Sequence, residues 1–364
     1  MSRYIYQSPD WPRFCWSQES LAEPLAGVHL RQGRLLGRME SLGLLQRDEA
    51  VLQTLTFDVL KSSEIEGEVF DPGQVRSSVA RRLGIDIAGL TPTDRRVDGV
   101  VEVILEATQN YAKPLTLKRL FGWHTALFSD AGAKIRVGAW RDDAQGPMRV
   151  VSGAAGHERV HYEAPPSKRL DSEMVAFLAW ANRTGDIDPI LRAAQAHLWF
   201  VTLHPFDDGN GRIARAIADW ALARSESSSR RFYSMSAQTQ RQRKDYYDIL
   251  ERTQKGTLDV TDWMKWFLDC LDRALAGTED TLASVFKKDQ FWKTYATLAI
   301  NERQRLMLNK LLDGFVGKLT STKWAMLAKC SQDTAQRDIV ALIERGILVK
   351  DSAGGRSTSY SLKD

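Results

Sequence analysis

The chain has 364 residues, of which 43% are hydrophobic and 26% charged, proportions typical of a folded protein of two to three domains. The longest strictly apolar run, residues 174–181, is far shorter than a membrane span, and the N-terminus lacks the apolar core of a secretion signal. Three widely scattered cysteines indicate neither a disulfide framework nor a metal knuckle. These features predict a cytoplasmic protein without a membrane contact.

The charge is unevenly distributed along the chain. Residues 287–364 contain 14 Lys and Arg against 8 Asp and Glu, whereas residues 1–286 are close to neutral. A basic tail of this kind is typical either of a contact with nucleic acid or acidic protein, or of an ordinary solvated surface.

Residues 18–285 are predicted to be mostly helical, because apolar residues recur three and four positions apart and glycine and proline lie mainly between the periodic stretches. The clearest helices are predicted over 21–42, 49–64, 100–111, 117–128, 172–182, 189–203 and 212–224. One exception is the region 148–166. There MRVVSG and RVHYEAPP flank a short polar stretch with a glycine, which predicts a β-hairpin.

The last eighty residues have a different pattern. Amphipathic helices are predicted over 302–313, 322–329 and 333–345, with Ser331 as the N-terminal cap of the third and Gly346 just past its end. ILVKD and RSTSYSL, on either side of the turn SAGG, predict a two-stranded ribbon. This order predicts a winged helix-turn-helix domain that begins near 286–300. Its basic groups include Lys329, Arg337, Lys350, Arg356 and Lys363.

The stretch LHPFDDGNGRIAR, residues 203–215, is predicted to bind phosphate. Pro205 ends the preceding helix, and the turn of residues 208–211 opens the next one. Such a turn is an anion site, because free N–H groups and the helix dipole point outward at a helix N-terminus. Arg212 and Arg215, three residues apart, add positive charge beside it.

Two further side chains at this turn are able to take part in a reaction of a bound phosphate group. His204 is a titratable base, and Asp208 is an oxygen ligand of the kind that Mg²⁺ takes alongside phosphate oxygens. The P-loop pattern GxxxxGK[ST] is absent. Gly209, Gly211 and Ala214 fit GxGxxA, but the preceding segment is a predicted helix rather than the strand that a dinucleotide-binding unit requires.

The other histidines near these segments are assigned structural positions. His124 and His197 are predicted to pack in the core, and His157 and His161 to be solvated in the hairpin.

The segment HPFDDGNGRIAR, residues 204–215, resembles the motif HPFx[D/E]GNGRxxR of Fic-domain proteins at all nine specified positions. The resemblance implies a mainly α fold, with a Fic helical core and a β-hairpin flap. It also implies transfer of AMP from ATP, with Mg²⁺, to a Ser, Thr or Tyr hydroxyl of a target protein and of the chain itself. The related Doc kinases have lysine in place of the second glycine, so Gly211 argues against that variant.

The resemblance also implies residue roles. His204 would be the catalytic base, Asp208 the metal ligand and Phe206 the inward-facing anchor of His204. The γ-phosphate would contact Arg215, with Asn210 and Arg212 on the α- and β-phosphates. The nucleotide-binding residues would be Gly209, Asn210, Gly211, Arg212, Ile213, Ala214 and Arg215.

A second short segment, KSSEIEGE at residues 61–68, resembles the inhibitory motif [S/T]xxxE[G/N] that accompanies many Fic domains. Ser62, Glu66 and Gly67 match it, and the first two share one face of a helix because they are four residues apart. The resemblance implies an N-terminal inhibitory helix whose Glu66 pairs with Arg215. For the flap it implies a target segment bound along residues 148–166 as an added strand.

These observations predict an N-terminal helical region with the inhibitory motif (1–97), a Fic catalytic domain (98–285) and a winged-helix domain (286–364). The predicted function is an autoinhibited protein adenylyltransferase, with DNA or protein contacts through the winged helix and with a homodimer allowed. Two alternatives stay open at this stage. One is an enzyme that removes AMP from proteins, and the other is a DNA-binding regulator whose Fic core senses nucleotide.

Overall fold

The computed structural model describes residues 4–87, 89–129, 135–153, 157, 159–185, 187–312, 315, 317–351 and 358–363. The chain forms two compact units, one of Met1–Ser41 and Arg47–Asp280, the other of Leu42–Gln46 and Thr281–Asp364. Among the described residues, no helix combines the length and the apolar character needed to cross a membrane.

The chain is mainly helical, as the sequence predicted. Up to residue 281 the helices are α1 (Gln18–Glu40), α2 (Leu44–Ile65), α3 (Pro72–Leu83), α4 (Arg95–Gln109), α5 (Leu117–Leu127), α6 (Leu170–Asn182), α7 (Pro189–Leu203), α8 (Asn210–Glu226), α9 (Met235–Arg241), α10 (Arg243–Gln254) and α11 (Thr261–Thr281). Two of them, α1 and α4, begin earlier than predicted, after a polar cap that lies upstream of the apolar periodicity. Asp94 caps α4, which begins at Arg95, five residues before its predicted start.

The centre of the first unit is α7, which packs most extensively against α8. Asp188 caps α7 and Pro189 occupies its first turn, so the helix begins and ends where the sequence predicted. Almost every side chain of α7 is buried, which fits a helix that is apolar on all sides. Since α4 and α6 pack on the same pair, the α7–α8 junction is held from several directions.

The predicted hairpin is formed by β1 (Arg149–Ser152) and β2 (Arg159–Glu163), which pair antiparallel. Its predicted polar turn falls mostly outside the described residues. The N-terminal segment packs on the hairpin through aromatic rings, with the Tyr4 and Tyr162 centroids 5.2 Å apart. Tyr162 also donates a hydrogen bond to the Thr202 carbonyl at 2.8 Å, so α7 and the N-terminal segment both brace β2.

The second unit contains α12 (Ala283–Thr294), α13 (Glu302–Leu312), α14 (Ser321–Leu327), α15 (Gln332–Glu344) and the antiparallel strands β3 (Leu348–Lys350) and β4 (Tyr360–Leu362). Ser331 caps α15, and Gly346 follows its end with a φ of 71°. Apolar side chains of the helices and of β3 form its core, including Leu308, Trp324, Ile339 and Leu348. The predicted SAGG turn and Arg356 lie outside the described residues.

Candidate active site

His204 occupies a strained position immediately after α7. Its backbone is in the left-handed region, with φ 48° and ψ 57°, and its N–H donates to the Phe200 carbonyl at 3.0 Å. A residue other than glycine in this region costs about 1–3 kcal/mol, a strain that the surrounding contacts must offset. The chain therefore turns sharply at His204, so that this residue and the following loop line one cavity.

Arg141 holds the backbone of this turn. Its side chain is fully buried; Nε donates to the His204 carbonyl at 2.8 Å and Nη2 to the Pro165 carbonyl at 2.6 Å. Its backbone N–H donates to the Pro205 carbonyl at 2.9 Å. One arginine thus joins the His204 turn to the chain just after β2. Arg141 was not predicted from the sequence, because a single arginine in a loop carries no local signal for such a role.

Phe206 and His124 support the loop between α7 and α8 from the protein interior. Phe206 is fully buried, and its ring stacks on His124 with centroids 4.1 Å apart. The Gly138 N–H donates to His124 Nδ1 at 3.0 Å, so Nε2 carries the proton and donates to the Asp208 carbonyl at 3.2 Å. Burial lowers the pKa of His124, which keeps the ring neutral. His124 is a core residue as predicted, and it also supports the loop.

The Asn210 side chain closes the loop on itself. The Phe206 N–H donates to Asn210 Oδ1 at 2.9 Å, and Asn210 Nδ2 donates to the Phe206 carbonyl at 2.8 Å. A phosphate contact from this residue would therefore come from its backbone N–H. Ile213 and Ala214, also predicted to bind the nucleotide, have fully buried side chains, and the Ile213 N–H already donates to the Gly209 carbonyl at 3.0 Å. Gly209 has a φ of 77°, and an added Cβ would lie 2.8 Å from the Phe128 ring.

The His204 imidazole is neutral and has one nitrogen free for chemistry. Its Nδ1 lies 3.2 Å from the Val201 carbonyl, which assigns the proton to Nδ1 and leaves the Nε2 lone pair unprotonated. Burial lowers the pKa of His204 to about 4, and the positive charge of Arg141 acts in the same direction. At neutral pH the side chain is therefore able to accept a proton.

Arg215 is buried and paired with two of the residues that the sequence analysis had assigned to inhibition. Its Nη2 lies 2.8 Å from Glu66 Oε1, and its Nε donates to Ser62 Oγ at 3.1 Å. Gly67 follows with a φ of 83°, so the chain turns away directly after the carboxylate. The guanidinium is thus held by the C-terminal turn of α2 and the residue just after it.

Arg212 has a carboxylate partner that the sequence analysis missed. Its Nη1 lies 3.0 Å from Glu68 Oε2, and its guanidinium carbon lies 5.1 Å from the centroid of the Phe128 ring. Arg212 and Arg215 of α8 are therefore both paired with glutamates of the short segment that follows α2. An added Cβ at Gly211 would lie 2.4 Å from Glu66 Oε1, so a side chain at this position would displace the Glu66 carboxylate.

A cavity of about 850 Å³ extends over the loop, within the range of ~300–1,000 Å³ typical of ligand sites. The start of α8 forms part of its wall, and free N–H groups at such a position favour an anion. The strands and α10 contribute further side chains. Lining residues from the loop, the hairpin, α10 and the segment after α2 include His204, Asp208, Gly209, Gly211, Val150, Ser152, His161, Arg243, Tyr246, Tyr247, Glu251 and Glu66.

Asp208 fits a magnesium ion that is carried mainly by phosphate oxygens. Its side chain is exposed in the cavity wall, and Oδ1 accepts the Gly209 N–H at 2.6 Å, which orients the carboxylate. Among the described residues no group of three His, Cys, Asp or Glu could hold a metal. Mg²⁺ commonly uses one or two carboxylates and completes its shell with phosphates and water, so a single aspartate suits it.

Two family models match parts of the chain. Residues 114–222 match the Fic/DOC family, and residues 4–85 match a domain of unknown function, DUF4172. The first range contains the whole loop at residues 204–215, and the second contains Ser62, Glu66 and Glu68.

Curated relatives match with modest identity. A protein adenylyltransferase Fic of Drosophila yakuba is 31% identical over 272 residues, which are 71% of this chain and 46% of the relative. One of Culex quinquefasciatus is 26% identical over 60% of this chain and 40% of the relative. A uridine 5'-monophosphate transferase of Xanthomonas campestris pv. campestris is 31% identical over 37% of this chain and 26% of the relative. The chain spans less than half the length of these relatives.

Solved structures share the fold. A Fic family protein from Desulfovibrio desulfuricans superimposes with a TM-score of 0.59 at 18% identity, covering 97% of this chain and 98% of that one. A Fic domain-containing signalling protein from Bacteroides thetaiotaomicron gives 0.53 at 19% identity, over 71% and 97%. At these identities the likeness shows a common fold.

Proposed function

We propose that this chain, which carries a Fic/DOC domain at residues 114–222, is a protein adenylyltransferase that moves AMP from ATP to a hydroxyl of a target protein. The observation that carries the proposal is the position of neutral His204 in the wall of the cavity that also receives the N-terminus of α8. A proton acceptor and an anion site meet there, as nucleotidyl transfer to a hydroxyl requires. The relatives named protein adenylyltransferase Fic support the same activity.

The proposed reaction assigns a separate task to each group. His204 Nε2 accepts the proton of the target hydroxyl as its oxygen bonds to the α-phosphorus. The bond from the α-phosphorus to the bridging oxygen breaks, and pyrophosphate leaves in line. The first N–H groups of α8 and the Arg212 guanidinium stabilise the negative charge on the phosphates. Arg215 contacts the γ-phosphate once Glu66 has left it.

Asp208 would hold the magnesium ion of the nucleotide, which supplies positive charge next to the departing pyrophosphate. Replacing Asp208 with alanine is expected to lower the apparent affinity for Mg²⁺ by at least about 10–100-fold, because mutation of a group that merely supports a metal ligand already has an effect of this size. The measurement is the transfer rate over a series of Mg²⁺ concentrations at fixed ATP. Asp207→Ala is the matched control, since its Oδ2 accepts the Arg136 N–H instead. Undiminished transfer by the wild type in excess chelator would contradict the assignment.

The region 1–97 is proposed to inhibit the enzyme through the end of α2 and the residues after it. Glu66 and Glu68 neutralise Arg215 and Arg212, the two side chains that would otherwise contact phosphates. A carboxylate at each arginine excludes the nucleotide phosphates in the geometry for attack. Residues 4–85 match a domain of unknown function, and inhibition by this segment would assign that domain an inhibitory role.

Replacing Glu68 with glutamine is expected to raise the transfer rate modestly, by about 2–5-fold, because a partly exposed ion pair contributes only about 0–1 kcal/mol. The Glu68 side chain is 36% exposed, so the pair with Arg212 is screened by water. The matched control is Glu64→Gln, whose carboxylate pairs with Lys61 at 2.7 Å instead. An equal effect of both changes in a transfer assay would show that the pair with Arg212 has no inhibitory part.

The direct test is incubation of the full chain with labelled ATP and a cell lysate, followed by mass spectrometry of the labelled peptides. A parallel incubation with labelled UTP is included because one matched relative is named a uridine 5'-monophosphate transferase. AMP on Ser, Thr or Tyr of a protein supports the proposal. Transfer from UTP alone would show that the nucleotide substrate is UTP rather than ATP, and that the reaction is still nucleotidyl transfer to a protein.

The hairpin is proposed to bind the target as an added strand. Among the described residues β1 and β2 form a sheet of two strands only, so each strand has one unpaired edge, and both strands contribute to the wall of the cavity. Backbone hydrogen bonds along such an edge would fix a segment of many sequences and present its hydroxyl to His204.

The second unit is proposed to be a winged helix that begins near residue 286. Its order of α13, α14, α15 and a two-stranded ribbon, together with the basic charge of residues 287–364, fits a contact with DNA or with an acidic protein. If DNA is the partner, affinity for a duplex is expected to fall by orders of magnitude between 50 and 200 mM salt. Binding that is indifferent to salt, or absent, would favour a protein partner.

A further inference from the structure

The end of α2, which leads directly into Glu66, leaves backbone carbonyls that need partners from elsewhere in the chain. The last four C=O groups of a helix, here those of residues 62–65, have no partner within the helix. Backbone N–H groups of the next three residues donate to two of them, the carbonyls of residues 63 and 64. The carbonyls of Ser62 and Ile65 are therefore left for other parts of the chain.

Two arginines from different helices donate to these two carbonyls. Arg215 Nη2 of α8 donates to the Ser62 carbonyl at 3.0 Å, and Arg243 Nε of α10 donates to the Ile65 carbonyl at 2.8 Å. Positive side chains are favourable at this end of a helix, because the dipole places negative partial charge there. The contact of Arg243 was not predicted from the sequence, since the two residues are 178 positions apart.

The Arg243 side chain is oriented by a neighbour on its own helix. Arg243 is the first residue of α10, and its guanidinium carbon lies 5.4 Å from the centroid of the Tyr247 ring, one turn later. The Tyr247 hydroxyl lies 3.5 Å from the same Ile65 oxygen, which is a weaker contact. Because the ring already restricts the guanidinium, less conformational entropy is lost when Arg243 donates to Ile65.

The helix that carries Arg243 is itself held in place. Tyr246, Ile249 and Leu250 of α10 are buried. The last turns of α10 pair with the hairpin, since His161 Nδ1 lies 2.6 Å from Glu251 Oε2. The sequence predicted a solvated His161, whereas its side chain is only 26% exposed. α10 is therefore fixed both by packing and by the hairpin, and it is able to anchor another segment.

We propose that Arg243 is a positioning residue for inhibition, because its hydrogen bond to the Ile65 carbonyl places the next residue, Glu66, against Arg215. Glu66 Oε1 lies 2.8 Å from Arg215 Nη2, so a small displacement of the chain at Ile65 is enough to separate the pair. The inhibitory segment is then held from two sides, by the arginines of α8 and by Arg243 of α10. This inference rests on the proposed function, since the reaction that is inhibited is the proposed nucleotidyl transfer.

Replacing Arg243 with methionine is expected to raise the transfer rate by about 3–10-fold, because a hydrogen bond from a charged group is lost while the carbonyl regains water. The measurement is incorporation of labelled AMP into lysate proteins at equal Mg·ATP. Arg243→Lys keeps a positively charged donor and should stay closer to the wild type. Arg252→Met is the matched control, because this exposed arginine of the same helix pairs with Asp262 instead and should leave the rate unchanged.

A double variant tests whether Arg243 acts through Glu66. In the Glu66→Gly protein, Arg243→Met should give no further increase, because the carboxylate that Arg243 positions is absent. A residue that merely stabilises the fold would not show this dependence on Glu66. An equal increase in both backgrounds, or no increase when Glu66 is present, would overturn the inference.

Hydrogen exchange of the full chain without nucleotide keeps the test independent of the proposed function. The Glu66 and Glu68 N–H groups donate to the Ser63 carbonyl, so their exchange reports the turn that Arg243 holds. A peptide that contains residues 66–68 should exchange about 3–10-fold faster in Arg243→Met than in the wild type or in Arg252→Met. Faster exchange together with no AMP transfer by any variant would contradict the proposed function and support the positioning role. Unchanged exchange would overturn that role.

Discussion

Replacing His204 with alanine is expected to lower the rate of AMP transfer to target proteins by about 10²–10⁴-fold, the usual contribution of a general base. Nucleotide affinity should change little, because a group that acts only in proton transfer contributes little to ground-state binding. The measurements are labelled AMP on lysate proteins and a separate titration with ATP. His29→Ala is the control, since this exposed histidine pairs with Asp188 on the surface. A full transfer rate in His204→Ala would refute the catalytic role.

The role of His204 as a base also predicts how the transfer rate depends on pH. A free histidine loses its proton near pH 6.5, whereas burial lowers the pKa of His204 to about 4. The imidazole is therefore a competent base at any pH well above 4, and transfer should slow only as the pH falls towards that value. We expect nearly constant kcat/KM between pH 7.5 and about 5.5. A half-maximal rate near pH 6.5 would indicate an unburied base.

Replacing Glu66 with glycine is expected to accelerate transfer, by on the order of 10²-fold. The carboxylate holds Arg215 at 2.8 Å, and its removal frees the guanidinium for the γ-phosphate. Alignment of the α-phosphorus then improves, and a misplacement of about 1 Å in such reactions can slow them by ~10²-fold. The measurement is incorporation of labelled AMP at equal Mg·ATP by the wild type, Glu66→Gly and Glu64→Gly. The last variant introduces the same backbone freedom at a carboxylate that pairs with Lys61.

A double variant separates inhibition from catalysis. Glu66→Gly combined with His204→Ala should be inactive on target proteins, because relief of inhibition has no effect without the base. A transfer rate of Glu66→Gly no higher than that of the wild type would show that Glu66 does not inhibit the enzyme. It would favour the alternative in which Glu66 positions a water for removal of AMP, and incubation with an AMP-modified protein would test that reaction directly.

Much of the site was predictable because its determinants are local. The apolar periodicity and the proline after it set the end of α7, and the glycines that follow set the turn before α8. The residues that we propose to bind an anion are therefore neighbours in sequence as well as in space. The spacing of Ser62 and Glu66 also predicted that both would face the same way, and both contact Arg215 in the structure, although Glu66 lies just after the end of α2.

Residues within a few positions of one another specify the helices, the turn at the start of α8 and the place of His204 between α7 and that turn. Only the tertiary structure brought Arg141 to the His204 carbonyl, Glu68 to Arg212 and Glu251 to His161. These partners are 63, 144 and 90 residues apart, and no local pattern specifies a pairing across such separations. Packing decides such pairs, because a charged side chain loses its hydration when it is buried. An unpaired charge is then costly in free energy, so a partner must lie beside it.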